Sequence, residues 1–241
     1  MATTLLEVLA AVIYPPACPL CGRDRPLASP PAPCRSCRRR LAPLPDGCGK
    51  CAEPGERNPC ERCTVSPPAV ERTRACLPYR AGNGGALLRT ALVRWKYQGD
   101  HAIGACLARL FAERTRAFET DADAIVPTPM RRARLLRRGF DQAAVLARAV
   151  ASTRALPVLA ALRRLRGGAS QTALGRGARE ANVRGAFRVR DAAAVEGRSI
   201  LLVDDVLTSG ATSDECATVL RRAGARRVEL WTLGRTLRPG K

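Results

Sequence analysis

The chain has 241 residues, enough for one domain of ordinary size with a small module attached. Its formal net charge is +20, from 41 basic residues against 21 acidic ones. That excess points to a polyanionic partner, either nucleic acid or a highly phosphorylated substrate, whereas an aromatic content of 4% argues against a base-stacking platform for single strands. Lys50, Lys96 and Lys241 are the only lysines. A GC-rich genome would account for the choice of arginine, but not for the two-to-one excess of bases over acids.

Residues 1–14 contain an apolar run, LLEVLAAVIY, that is too short to span a bilayer and carries Glu7 in its middle. It lacks the basic leading segment of a secretory signal. It predicts a short amphipathic helix packed on the domain, with no membrane insertion. Four CxxC pairs follow: Cys18 and Cys21, Cys34 and Cys37, Cys48 and Cys51, Cys60 and Cys63. One such pair places two thiolates on a knuckle, and two knuckles complete a tetrahedral zinc shell, so the four pairs predict two closed, structural zinc sites. The simplest pairing joins consecutive knuckles, and a cross-braced pairing keeps the same stoichiometry. The connecting stretches (PLASPPAP, APLPDG, EPGERNP) offer little from which to build a core, so the metal is expected to supply the folding free energy. Disulfides are the rival reading. Without a secretory signal the expected compartment is the reducing cytoplasm, where this spacing favours zinc.

A composition shift through SPPAVERT separates an N-terminal helix and double zinc ribbon, residues 1–66, from a second domain, residues 74–241. Cys76, Cys106 and Cys216 stand alone and read as small core residues. In the second domain strands are predicted over residues 74–79, 124–126, 186–189, 200–204 and 228–233. Helices are predicted over 85–97, 103–118, 142–152 and 214–223, and residues 156–159 fit either state. This alternation predicts an α/β fold, a parallel sheet flanked by helices. The single histidine, His101, lies outside every motif and is assigned no role.

Residues 126–142, VPTPMRRARLLRRGFDQ, begin as a strand that breaks at Pro127 and Pro129 and then carry five arginines. A strand-terminal loop beside a basic turn suits a pyrophosphate, because arginine makes bidentate contacts with phosphate oxygens. Pro129, Met130 and Arg131 form this candidate loop. A solvated basic helix is the alternative. Residues 164–187 are polar and glycine-rich, as a mobile active-site lid would be, with an ordinary surface loop as the alternative. Arg138, Gln142 and Gln171 are assigned to the lid or base side of the site.

The most informative run is residues 200–212, ILLVDDVLTSGAT. Four apolar residues suit a strand buried on both faces of a parallel sheet, with Asp204 and Asp205 emerging at its carboxyl end, where ligands bind in open α/β sheets. Thr208, Ser209, Gly210, Ala211 and Thr212 then lead into a helix expected to be capped by Thr212 or Ser213. Free backbone N–H groups at that helix start, the hydroxyls and a glycine together suit a phosphate. The two acids are placed to accept hydrogen bonds from the paired hydroxyls of an attached ribose. A receiver domain also opens with such acids, but requires roughly a hundred further residues of alternating strand and helix. A Walker B strand requires a GxxxxGK[ST] loop, which this chain lacks. A core strand with an acidic turn leaves the hydroxyl-rich loop unexplained.

The run resembles the 5-phosphoribosyl-1-pyrophosphate (PRPP) signature of type I phosphoribosyltransferases. That resemblance implies that Asp204 and Asp205 hold the ribose hydroxyls and that Thr208 to Thr212 hold the 5′-phosphate. The order of motifs is similar along nearly the whole chain to the ComF family of competence-associated proteins: paired CxxC ribbons, KYQGD at Lys96 to Asp100, VPTPM…RGFDQ, SQTALGR…ANVRGAF and the PRPP signature. Asp141 departs from the family, which commonly reads RGFNQ here. Two functions follow as expectations. One is a magnesium-dependent phosphoribosyltransferase, a pentosyl-transferring glycosyltransferase, with Asp204 and Asp205 stabilising positive charge that develops on the ribose. The other is a non-enzymatic DNA-uptake accessory protein that contacts single-stranded DNA or a DNA-uptake helicase.

Overall fold

The computed structural model describes residues 17–24, 31–80, 82–165 and 183–237. The expected helix over residues 1–14, the middle of the expected lid and Gln171 lie outside this set. After two short helices, α1 (Arg35–Arg40) and α2 (Glu61–Val65), the order is β1 (Arg72–Tyr79), α3 (Gly82–Gln98), α4 (His101–Thr115), β2 (Ala124–Pro127), α5 (Arg132–Arg138), α6 (Gln142–Arg154), β3 (Leu162–Arg164), β4 (Phe187–Val189), β5 (Ser199–Leu207), α7 (Ala211–Arg222) and β6 (Arg227–Thr236). Four strands form one parallel sheet in the order β1-β6-β5-β2. The segment that fits either state joins this sheet. Ile125 donates to Pro157 and Leu159 donates to Ile125, which sets Val158 beside β2 as a parallel bridge.

Strand β5 sits between β6 and β2, and Ile200, Leu201, Leu202 and Val203 are fully buried. The side-chain period of two divides them between two cores. Leu201 and Val203 pack with Leu107, Phe111 and Leu146 of α4 and α6, while Ile200 and Leu202 pack with Cys216, Ala217 and Leu220 of α7. A strand covered on both faces must read as a continuous apolar run. Truncating Leu201 to Ala would cost about 2–5 kcal/mol. Cys76, Cys106 and Cys216 are buried among these apolar side chains, in line with their expected role.

The first cysteine segment shares the larger core: Cys18, Leu20, Cys37 and Leu41 pack in one cluster with Leu88, Trp95 and Leu107. Arg38 pairs with Glu113 of α4 at 2.6 Å, and Arg114 donates to the Leu41 carbonyl at 3.1 Å. Gly84 of α3 lies so close to this segment that a Cβ would collide with the Arg40 carbonyl oxygen. The second segment rests on β1, where Thr73 donates from its N–H to Gly49 O at 2.7 Å and from its hydroxyl to Lys50 O at 2.9 Å. Among the described residues no helix is long and apolar enough to cross a membrane.

Two expectations are corrected. The helix after β5 begins at Ala211 with Gly210 as its N-cap residue, at φ 91°, and neither Thr212 nor Ser213 caps it. Both lie in its first turn, and the Ser213 hydroxyl donates back to Gly210 O at 2.9 Å. Glycine reaches the left-handed region at little steric cost, so the chain turns one step earlier than a hydroxyl cap would place it. The arginine-rich segment is the basic helix given above as the alternative, α5, and not a turn; none of its side chains is buried. Gly139, at φ 79°, ends it.

Candidate functional site

Asp204 and Asp205 stand on β5 just past its buried run, with Asp204 opposite Thr232 in the register with β6. They share a cavity of about 170 Å³ with Lys96, Thr128, Pro129, Met130, Arg138, Asp141 and Gln142. The sheet places them there. Strand β2 runs beside β5, and Thr128 N–H donates to Val203 O at 2.9 Å, so the chain after Pro127 leaves the sheet over the two acids.

Lys96, near the end of α3, forms an ion pair with Asp205 Oδ2. Burial raises the Asp205 pKa, but the attraction of Lys96 outweighs it and holds the carboxyl below its ordinary value. Burial would lower the Lys96 pKa, and the two carboxylates hold it above the ordinary range instead. Asp204 moves the other way: burial, reinforced by the charge of Asp205, pushes it well above the usual carboxylate range. Asp204 Oδ1 accepts the Asp205 N–H at 2.8 Å. The pair is thus split into an ionised acid and one that holds its proton more tightly.

Opposite the acids, Arg138 donates to Gln142 Oε1 at 3.0 Å and lies 4.9 Å over the exposed Tyr97 ring. Burial and the charges of Arg134 and Arg137 lower the Arg138 pKa. Thr128 Oγ1, Arg138 Nε and Gln142 Nε2 are buried and have no hydrogen-bond partner among the described residues. Each such group costs about 1–3 kcal/mol unless a ligand or water meets it. Arg131, assigned with Pro129 and Met130, precedes α5 as its N-cap residue. Asp141 caps α6 by accepting the Ala144 N–H at 3.3 Å, and its other oxygen accepts the Met130 N–H at 3.3 Å. The acid in place of the family asparagine is therefore committed to backbone donors, one of them in the candidate pyrophosphate loop.

Ser209, Gly210 and Ala211 line a neighbouring opening of about 250 Å³, together with Arg62, Arg184 and Asp214. Thr208 is exposed and Thr212 half-buried. Strands β3 and β4 pair antiparallel, so the two ends of the expected lid are held side by side. His101 packs edge-on against Phe140 with ring centroids 5.2 Å apart.

The eight paired cysteines form two clusters, Cys18, Cys21, Cys34, Cys37 and Cys48, Cys51, Cys60, Cys63, each with its sulfur atoms within 4.8 Å of one another. These are the consecutive knuckles of the simplest pairing. The Cys21–Cys34 and Cys51–Cys60 Sγ distances are both 3.7 Å, too long for a disulfide and close to the edge, about 3.8 Å, of a tetrahedron with 2.3 Å metal–sulfur bonds. Cys34 N–H and Cys60 N–H donate to Cys18 and Cys48 Sγ, each at 3.3 Å. Burial raises the Cys34 and Cys60 pKa values, but hydrogen bonds from the Cys37 and Cys63 N–H groups and neighbouring thiols bring both down to about 7. All-sulfur, closed donor sets of this shape fit zinc.

Sequence reading missed Lys96 as a partner of Asp205 and Arg62 as a neighbour of Ser209. The lone lysine of the KYQGD motif was the available signal for the first; nothing in the sequence marked the second.

A model of the phosphoribosyl transferase domain family matches residues 97–238. DNA utilization protein YhgH of Escherichia coli K12 is 32% identical over 215 residues, 85% of this chain and 90% of that protein. Competence protein F of Haemophilus influenzae is 27% identical over 84% of this chain and 90% of its own length. Among solved structures, the Bacillus subtilis glutamine PRPP amidotransferase matches with TM-score 0.40 and 23% identity over 54% of this chain, spanning 26% of that one. The chain belongs to the phosphoribosyl transferase domain family, among its ComF, or competence protein F, members. Its parallel sheet flanked by helices, preceded by two four-cysteine clusters, agrees with the type I phosphoribosyltransferase-like architecture expected from the sequence.

Proposed function

We propose that the protein binds PRPP and transfers or recognises its phosphoribosyl group in a process of DNA uptake. One observation carries this reading: a split acid pair stands near the carboxyl end of the inner parallel strand β5, between a cavity with unpartnered buried donors and a glycine-capped helix start. Asp204 and Asp205 accept hydrogen bonds from the ribose 2′ and 3′ hydroxyls. Ser209, Gly210, Ala211 and the flanking threonines receive the 5′-phosphate. Pro129, Met130 and Arg131, with Arg138 and Gln142 beside them, receive the pyrophosphate and the acceptor, and Gln171 belongs to the lid.

In the transfer reaction a nucleophilic acceptor forms a bond to the ribose anomeric carbon while the C–O bond to pyrophosphate breaks and its electron pair leaves with the pyrophosphate. Positive charge grows on the ribose, and the ionised acid of the pair stabilises it. The carboxylates offer hard oxygen donors suited to magnesium, which when bound with PRPP neutralises the leaving group. The cysteine clusters hold two structural zinc ions, and their reduced thiols suit the cytoplasm.

A second reading has its own support. Helix α5 buries no side chain and presents Arg132, Arg134 and Arg137 with the exposed Leu136 and Tyr97, a surface suited to a single-stranded nucleic acid. The names of the E. coli and H. influenzae relatives favour a DNA-linked role in either case; a DNA-uptake helicase is the further partner of this second reading. Calorimetric titration with PRPP and magnesium, followed by product analysis with nucleobases and DNA, tests the first reading. PRPP binding without turnover leaves the accessory role, and no PRPP binding overturns the proposal.

A further inference from the structure

The loop after β5 is held from behind by the second cysteine cluster. Arg235, buried on β6, donates to Leu207 O at 3.4 Å and to Thr208 O at 2.7 Å. Its other terminal nitrogen pairs with Glu53 Oε2 at 2.8 Å, and only 3% of the Arg235 side chain is exposed. Glu53 lies two residues past Cys51, and its carbonyl accepts the Cys48 N–H at 2.9 Å, inside the knuckle itself. Arg62, between Cys60 and Cys63, donates to Ser209 O at 3.2 Å. Three consecutive carbonyls of the loop are therefore gripped by guanidinium groups, one carried by the cluster and the other neutralised by it.

In a trans peptide the C=O and N–H bonds point in opposite directions. Fixing the carbonyls of Leu207, Thr208 and Ser209 therefore fixes the N–H groups of Thr208, Ser209 and Gly210 on the opposite face of each peptide, pre-set for an anion. The two cysteine clusters differ in what supports them. Cys18 and Cys37 share the main core with Leu20 and Leu41, whereas Cys48, Cys51 and Cys63 cluster only with the partly buried Cys60 among the described residues. A segment whose core is cysteine alone depends on its metal for shape.

We propose that the second cysteine cluster positions the phosphate loop through Arg62 and the Glu53–Arg235 pair, so that a metal ion held there tightens binding of the ligand's 5′-phosphate. This rests on the phosphoribosyl reading of the site. Arg62 and Glu53 are positioning residues, acting through loop carbonyls.

The test uses full-length, metal-loaded protein and two ligands, ribose 5-phosphate and magnesium pyrophosphate, with hydrogen exchange of residues 208–211 as a readout that needs no ligand. Arg62→Ala is expected to weaken ribose 5-phosphate binding about tenfold, the loss of one charge-assisted hydrogen bond, and to leave pyrophosphate binding unchanged. Exchange at 208–211 should quicken, and Arg62→Lys should restore part of both effects. Removing the metal with a chelator should quicken exchange in the same residues. Because Arg62 also lines the phosphate opening, parent-like exchange in Arg62→Ala overturns the inference whether or not ribose 5-phosphate binding falls, as does an equal loss of both ligands. If the parent binds neither ligand, the phosphoribosyl reading fails, and the exchange data alone decide whether the cluster holds the loop.

Discussion

Lys96 and Asp205 form an ion pair that joins α3 to the acid pair on β5, and it splits two adjacent carboxyls into unlike states. Lys96→Met leaves Asp205 buried without its counter-ion. Breaking a buried pair costs roughly 3–5 kcal/mol, and the partial exposure of both partners puts the expected loss near the lower end. The lowered Asp205 pKa contributes stability that is present above its unfolded value and lost as pH falls through the folded one. The raised Lys96 pKa contributes stability lost only as pH rises through its folded value. The deficit of the variant, read from urea unfolding midpoints, should therefore be largest around neutral pH and shrink on acidification.

Asp141→Asn restores the residue common in the family. An asparagine oxygen still accepts the Ala144 N–H, so the α6 cap is kept, but the amide nitrogen cannot accept the Met130 N–H, which loses its partner. Also lost is a negative charge close enough to Asp205 to contribute to its own raised pKa, after burial. PRPP affinity should rise roughly fivefold, worth about 1 kcal/mol. Calorimetry on parent and variant checks this, and the variant should melt slightly lower for the lost Met130 hydrogen bond.

Freshly prepared, reduced protein should contain two zinc ions, and Cys37→Ser and Cys63→Ser should each lose one by elemental analysis. Metal binding takes thiolates from all four cysteines of a cluster; burial raises Cys37, Cys51 and Cys63 while Cys34 and Cys60 lie at about 7, so the affinity should fall throughout as pH drops and more steeply below about 7. Competition with a chromophoric chelator at several pH values measures that fall.

If α5 meets single-stranded DNA, binding should weaken steeply with salt and vary little with sequence. Arg132→Ala, Arg134→Ala and Arg137→Ala should each reduce the slope of log affinity against log salt by about one per phosphate contact removed. Fluorescence anisotropy across a salt series would show it, and a salt-insensitive interaction would contradict it.

The parallel core and the cysteine clusters were legible in the sequence because each rests on a local pattern. Ile200 to Val203 is an apolar run with acids at its end, and CxxC spacing is a knuckle whatever surrounds it. The start of α7 was misplaced because Thr212 and Ser213 look like better caps than Gly210, and only the backbone shows the left-handed turn. The sequence left α5 open between a basic turn and a solvated helix because RARLLRR offers no buried face to create a periodic signal. Contacts such as Arg62 to Ser209 and Glu53 to Arg235 join residues 147 and 182 positions apart, and one sequence carries no trace of them.

The most direct measurement is a PRPP titration of Asp204→Asn across pH. This variant spares the Lys96–Asp205 pair, and it replaces an acid whose pKa burial and Asp205 hold well above the ordinary range. The carboxylate form accepts the ribose hydroxyls best, so parent affinity should rise with pH through that raised value as the proton is lost. Asp204→Asn should bind roughly ten- to a hundredfold more weakly at the upper end of that rise and show no such dependence, at about 1.5–3 kcal/mol per charged hydrogen bond. Binding of PRPP by Asp204→Asn with the affinity and pH profile of the parent would contradict the account.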